Sequence, residues 1–332
     1  MRKRTKTLLT GAGAAAAGIA AMGAATYAST KYLVRMAMDR KQPKIPGMGK
    51  TLERFRGSEG CRAFLDAISE GADKIEAKSH EVVTISGSDG EKLVGHWFIC
   101  PEAKRIIVAM HGWRSSWSSD FGTIADFWYS NGCSVLYAEQ RGQGSSGGDY
   151  IGFGLTERYD CLSWVKWVNS RNPQNLPIYL AGVSMGATTV LLAAALDLPE
   201  NVKGIMADCG FTSARDIWQH VAEKNLHMYY RIHGPIANRL CKARIQMRPD
   251  ACSTVEALAQ SRVPVLFVHG VQDRFVPVEM TYENYRACAA PKRLLIVPGA
   301  DHGMSHYVEK QRYETAMEEF WQDCDQNGML PN

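Results

Sequence analysis

At 332 residues and 45% hydrophobic content, the chain can bury one large core but has no room for a second full-sized domain, so a single α/β domain is the leading expectation. A formal charge of +4 is only mildly basic and excludes the strongly basic profile of a dedicated nucleic-acid binder. Nine cysteines (Cys61, Cys100, Cys133, Cys161, Cys209, Cys241, Cys252, Cys288 and Cys324) stand singly, without C-x-x-C pairs or zinc spacing, and read as reduced, packed thiols.

In chain order, Arg2, Lys3, Arg4 and Lys6 precede an uncharged, Ala- and Gly-rich stretch from Thr7 to Thr30, long enough to cross a bilayer as a helix. That layout belongs to a signal peptide or a signal anchor, and because Thr26-Tyr27-Ala28 is a poor cleavage site, residues 1–30 are expected to form an anchor. The basic N-terminal flank favours an extracytoplasmic body. Free thiols, and Lys31, Arg35, Arg40, Lys41 and Lys44 beyond the stretch, favour the cytoplasmic alternative. Residues 31–79 read as linker and N-terminal helices. Within them Tyr32, Leu33, Met36 and Ala37 have helical spacing, suiting either a helix at a membrane surface or one packed on the domain. The run QPKIPGMGKT is linker-like.

From residue 80, HEVVTIS and KLVGHWFI flank a Gly-Ser-Asp-Gly turn and predict an antiparallel pair. Short apolar runs then alternate with amphipathic stretches: RIIVAMH, SVLYAE, PIYLAG, KGIMAD, PVLFVHG and RLLIVPG are strands, with ERYDCLSWVKWVNS and MGATTVLLAAAL among the helices. The alternation predicts a mostly parallel sheet with helices on both faces, over residues 80–328. Functional residues are expected at the carboxyl edge of such a sheet.

Three strand ends carry the types needed for nucleophilic catalysis. PIYLAG runs into Gly182-Val183-Ser184-Met185-Gly186, a G-x-S-x-G elbow followed by a helix. PVLFVHG is followed by Asp273 and RLLIVPG by His302. A serine hydroxyl needs an imidazole to take its proton, and the imidazole needs a carboxylate to fix its tautomer, so Ser184, His302 and Asp273 form a candidate triad. Asp208, at the end of KGIMAD, is the alternative acid. For the oxyanion, the backbone N–H groups of Met185 and of Trp113, in HGWRSS, are the candidate donors, with His111 bracing that loop. EQRGQGSSGGDY lacks the Gly-Lys-Ser/Thr of a phosphate loop, so Arg141 and its glycines read as the rim of the site. His302 and His306 lack the glutamate of a zinc motif, and neither metal nor cofactor is expected.

The strings HGWRSS, EQRGQGSSGG, GVSMG, DCGFTS, HGVQDRFVP and GADHGMS together make residues 80–325 resemble the α/β-hydrolase superfamily, in its bacterial serine aminopeptidase-like or dienelactone-hydrolase-like branch. Glu139 and Gln143 depart from the aspartate and histidine common in the rim motif. The resemblance implies an α/β-hydrolase fold with a short helical cap, here the insertion at about 211–260, and cofactor-free cleavage of an ester, amide or peptide bond through an acyl-enzyme. The expected partner is therefore a small acyl ester, amide or peptide. Acyl transfer by the same triad, or a non-catalytic membrane-anchored binding protein, are the alternatives. The cap carries Trp218, Met228, Tyr229, Tyr230 and Ile232 beside Lys224, Arg231, Arg239, Lys242 and Arg244, readable as an acyl pocket with a basic rim or as a core face beside a solvated one.

Overall fold

The computed structural model describes residues 2–43 and 59–325, with side chains from 18 to 43 and from 62 to 325. Eight strands form one sheet: β1 Glu81–Ser86, β2 Lys92–Phe98, β3 Arg105–Met110, β4 Cys133–Glu139, β5 Ile178–Val183, β6 Val202–Asp208, β7 Val265–Gly270 and β8 Lys292–Val297. Their order is β1-β2-β4-β3-β5-β6-β7-β8, antiparallel from β1 to β4 and parallel from there on. Each strand coincides with one of the eight apolar runs, with ends displaced by a residue or two. The central strands are continuous apolar runs because both of their faces are covered: every residue of β4 and β7 is buried.

The helices are α1 Arg2–Met38, α2 Glu59–Glu76, α3 Trp117–Phe121, α4 Ala125–Ser130, α5 Glu157–Ser170, α6 Met185–Ala193, α7 Ala214–His220, α8 Tyr230–Ile245, α9 Thr254–Gln260, α10 Val278–Ala287, α11 Ser305–Val308 and α12 Lys310–Asp325. On one face, Trp164, Val165 and Val168 of α5 and Val190 and Leu191 of α6 pack against Val108, Leu136 and Leu180 of the sheet. Ile75 of α2, Trp128 of α4 and Phe320 and Trp321 of α12 cover the other face. Burying each such side chain contributes roughly 1.5–3 kcal/mol. A third cluster sits over the carboxyl edge, where Val34 and Met38 of α1 meet Ile217 of α7, Ala237 and Cys241 of α8, and Met185.

That third cluster decides between the two readings of residues 31–40. Their helix is the C-terminal end of α1, packed on α8 of the cap. Among the described residues no helix is long and apolar enough to cross a membrane, so the anchor expected over residues 1–30 gains no support. Alanine and glycine, which dominate that run, gain too little from leaving water. The side chains of residues 1–17, and the linker from residue 44 onward, lie outside the described residues. The insertion between β6 and β7 supplies α7, a π-turn at Val221–Asn225 and α8 as the cap, whereas α9 packs on α6 and α10 of the scaffold. The eight described cysteines are free, and burial pushes Cys133, Cys161, Cys241 and Cys324 up to about 12, as inert packing thiols require.

Candidate active site

Ser184 stands on the turn from β5 into α6 with φ 55° and ψ −117°, a conformation that costs a non-glycine residue about 1–3 kcal/mol. Neighbouring backbone holds it there: its N–H donates to the Asp208 carbonyl at 2.8 Å, and its carbonyl accepts from Thr188 N–H at 3.0 Å. The flanking glycines are required by close approach. A Cβ on Gly182 would run into the backbone of Gly186, and one on Gly186 into the Met110 carbonyl. The elbow thereby lifts the Ser184 hydroxyl at the edge of the sheet.

His302, after β8, places Nε2 2.9 Å from Ser184 Oγ and Nδ1 2.7 Å from Asp273 Oδ2. With the carboxylate accepting at Nδ1, the proton sits on that nitrogen and Nε2 is left to accept from the serine, the tautomer a general base needs. Asp273, on the loop after β7, has its other oxygen Oδ1 fixed by the N–H groups of Phe275 and Val276, both at 2.8 Å. His269 adds a further contact, Nε2 to Asp273 Oδ2 at 3.1 Å, while its Nδ1 lies 2.6 Å from Thr281 Oγ1. Burial alone would raise the Asp273 carboxyl. The hydrogen bonds from His269 and His302 and the charge of His302 outweigh it and hold the group well below the usual carboxylate range. The sequence reading missed His269, although the histidine four residues before Asp273 in HGVQDRFVP was its visible sign.

Asp208 is not placed as the acid. Its side chain accepts from Ser305 Oγ at 3.1 Å and hydrogen-bonds Tyr313, and burial raises it to about 6. His302 Nδ1 turns to Asp273 instead, because β8 delivers the imidazole beside the loop of β7.

Met185 opens α6, so its N–H is among the helix's unpaired donors, next to the nucleophile. Trp113 and Gly112 line the same cavity of about 260 Å³ as Ser184 and His302. The loop is braced on all sides. Gly112 N–H donates to Asp120 Oδ2 at 2.6 Å, Arg114 N–H to Gln143 Oε1 at 2.6 Å, and the Trp113 indole N–H to the Ala37 carbonyl of α1 at 2.8 Å. Buried His111 accepts from Gln140 N–H at 3.1 Å and is a brace, as expected; burial, the largest influence, depresses its pKa. Arg141 is likewise architectural, its guanidinium held by Asp160 at 2.6 Å and Asp89 at 2.8 Å beneath the rim.

His306 lines the Ser184 cavity, with its Nε2 3.2 Å from Glu314 Oε1. The one group with metal-like spacing among the described residues is Cys209, Asp273 and His302, with ligand atoms within 4.8 Å of one another. Two of its members are already hydrogen-bonded together, and burial pushes the Cys209 thiol well above its ordinary value, so the set fits the triad better than a metal.

The comparisons bear on the fold that carries this geometry. Residues 101–248 match the family model of serine aminopeptidases, S33. YqkD of Bacillus subtilis (strain 168), an uncharacterized protein, is 29% identical over 57% of this chain, which spans 62% of that relative's length. YfhR of Escherichia coli (strain K12), also uncharacterized, is 25% identical over 68% of this chain and 74% of its own. Among solved structures, the Pyrococcus furiosus esterase Pf2001 superposes with a TM-score of 0.62 at 21% identity, over 76% of this chain and 93% of that one. Est1E from Butyrivibrio proteoclasticus, solved with ferulic acid, gives 0.58 at 20% identity over 74% and 100% of the two chains. Over residues 101–248 the chain is thus similar to the serine aminopeptidase family, and it shares the α/β-hydrolase fold of these solved esterases.

Proposed function

We propose that the protein is a serine hydrolase that cleaves a carboxylic ester, with amides and peptides as poorer substrates, through an acyl-enzyme. The supporting observation is the unbroken chain Asp273–His302–Ser184, with contacts of 2.7 and 2.9 Å, in which a carboxylate at Nδ1 favours the tautomer that accepts the serine proton. Ser184 Oγ attacks the carbonyl carbon while its proton passes to His302 Nε2, and the buried Asp273 carboxylate stabilises the imidazolium. The N–H groups of Met185 and Trp113 hold the oxyanion. Collapse expels the alcohol, which takes the proton from His302, and water attacks the acyl-enzyme by the reverse transfers. The steps are complete with side chains, backbone and water.

Ser184→Ala is expected to abolish turnover of a p-nitrophenyl acyl ester by the full chain while leaving its circular dichroism and melting temperature close to those of the parent. Turnover retained in that variant overturns the assignment.

A further inference from the structure

We propose that α1 forms one wall of an acyl-chain pocket, so that the preferred substrates are esters of medium-length apolar acids; the inference rests on the serine-hydrolase reading. A second cavity, of about 190 Å³, lies between Leu33, Val34 and Ala37 of α1 and Ile217, Ala222 and Ala237 of the cap. Almost no polar atom faces it. Of its polar side chains, Thr30 and His233 are hydrogen-bonded to each other at 2.7 Å, across the α1–cap boundary. A cavity so lined gives water nothing to bind and favours an apolar occupant.

Its position selects the occupant. Trp113 lines both this cavity and the one holding Ser184. The Trp113 ring stacks on Phe275 at 6.4 Å, and Phe275 stands edge-on to His302 at 5.1 Å, so an aromatic pair borders both the nucleophile and the apolar space. The Ser184 cavity mixes Ser115, Ser119 and Asp120 with Phe64, Phe121 and Met317 on its wall and takes the leaving group, whereas the second space is almost wholly apolar and suits the acyl chain. About 190 Å³ is on the order of six waters at ~30 Å³ each, room for a chain rather than an acetyl group.

The α1 wall is built into the body. Arg114 donates to the Met36 carbonyl at 2.8 Å and the Asp39 carbonyl at 2.7 Å, Arg244 pairs with Asp39 at 2.7 Å, and Ile151 N–H donates to the Met38 carbonyl at 2.7 Å. The segment that supplies the wall thus also grips the loop carrying the Trp113 oxyanion donor.

The test is kcat/KM of the full chain for p-nitrophenyl esters from acetate to decanoate. The expected result is a rise of about fourfold per added methylene until the cavity fills, and then a plateau. Leu33→Trp and Ala222→Phe, which fill it from opposite walls, are expected to lower the octanoate-to-acetate ratio by about 60-fold, the loss of about three methylenes at fourfold each. Leu33→Ala, which enlarges the space, is expected to move the optimum to a longer acid, and guards against misfolding of the bulky variants. A flat acyl profile, a preference that follows the alcohol chain instead, or equal losses on acetate and octanoate overturn the pocket while leaving the hydrolase reading intact. Loss of all Ser184-dependent turnover on every ester instead strikes the hydrolase reading.

Discussion

Strand β6 ends on the buried Asp208 and the loop after the neighbouring β7 carries Asp273, its side chain also enclosed, yet the two carboxyls are driven in opposite directions. Asp273 takes hydrogen bonds from two imidazoles and two backbone N–H groups and stays ionised far below neutrality. Asp208 is enclosed more completely, faces the hydroxyls of Ser305 and Tyr313, and is raised to about 6. Burial opposes ionisation at both sites, so the donors around each carboxyl decide the outcome. An imidazolium forming on His302 needs a fixed negative partner, which the end of β7 supplies and the end of β6 does not.

Breaking the β7 side has the largest expected effect. Asp273→Asn lets His302 adopt the wrong tautomer, and kcat on an ester is expected to fall by about 10⁴-fold with the fold preserved, as in other serine triads. His269→Ala removes a support of Asp273 without touching substrate. A kcat loss of about 10–100-fold with KM nearly unchanged is expected. Because the His269 hydrogen bond is the leading influence lowering the Asp273 pKa, the Asp273 carboxyl of the variant should titrate at higher pH than in the parent, read by NMR of the carbon-labelled side chain; a purely structural role would leave that titration in place. Arg114→Ala loosens from α1 the loop carrying Trp113, the proposed oxyanion donor, without deleting that donor, and a kcat decrease of about tenfold is expected, below the 10²–10³ of a lost donor.

On the β6 side the expected effect is on stability. Asp208→Asn should leave kcat within about threefold, since its backbone carbonyl, not its carboxyl, holds the elbow. The folded-state pKa of Asp208 lies above its ordinary 3.8, so its favourable contribution is present at low pH, where the group is protonated in both states, and is lost as the pH rises through about 6. Relative to the parent, the asparagine variant should therefore gain up to about 3 kcal/mol between pH 4 and pH 7. Denaturant melts at the two pH values check this; equal differences at both would show that Asp208 does not titrate in that window.

The two sides also differ in how far the sequence reveals them. Each strand was legible because a buried parallel strand is a local apolar run, and Ser184, Asp273 and His302 were legible because each follows such a run directly. The choice of Asp273 over Asp208 rested on the surrounding string; in the structure it follows from which loop receives His302 Nδ1. The packing of α1 was legible only as one of two readings of residues 31–40, and its partners were not legible at all. Thr30 meets His233, Ala37 meets Trp113 and Asp39 meets Arg244 across separations that periodicity does not encode, and the Ala- and Gly-rich composition pointed to a membrane instead.

The most direct measurement is labelling of the full chain with an alkyl fluorophosphonate, followed by peptide mapping of the parent and of His302→Ala. The account predicts a single adduct on Ser184 that is lost when His302 is replaced. An adduct on another residue, or labelling of Ser184 that persists without His302, would contradict it.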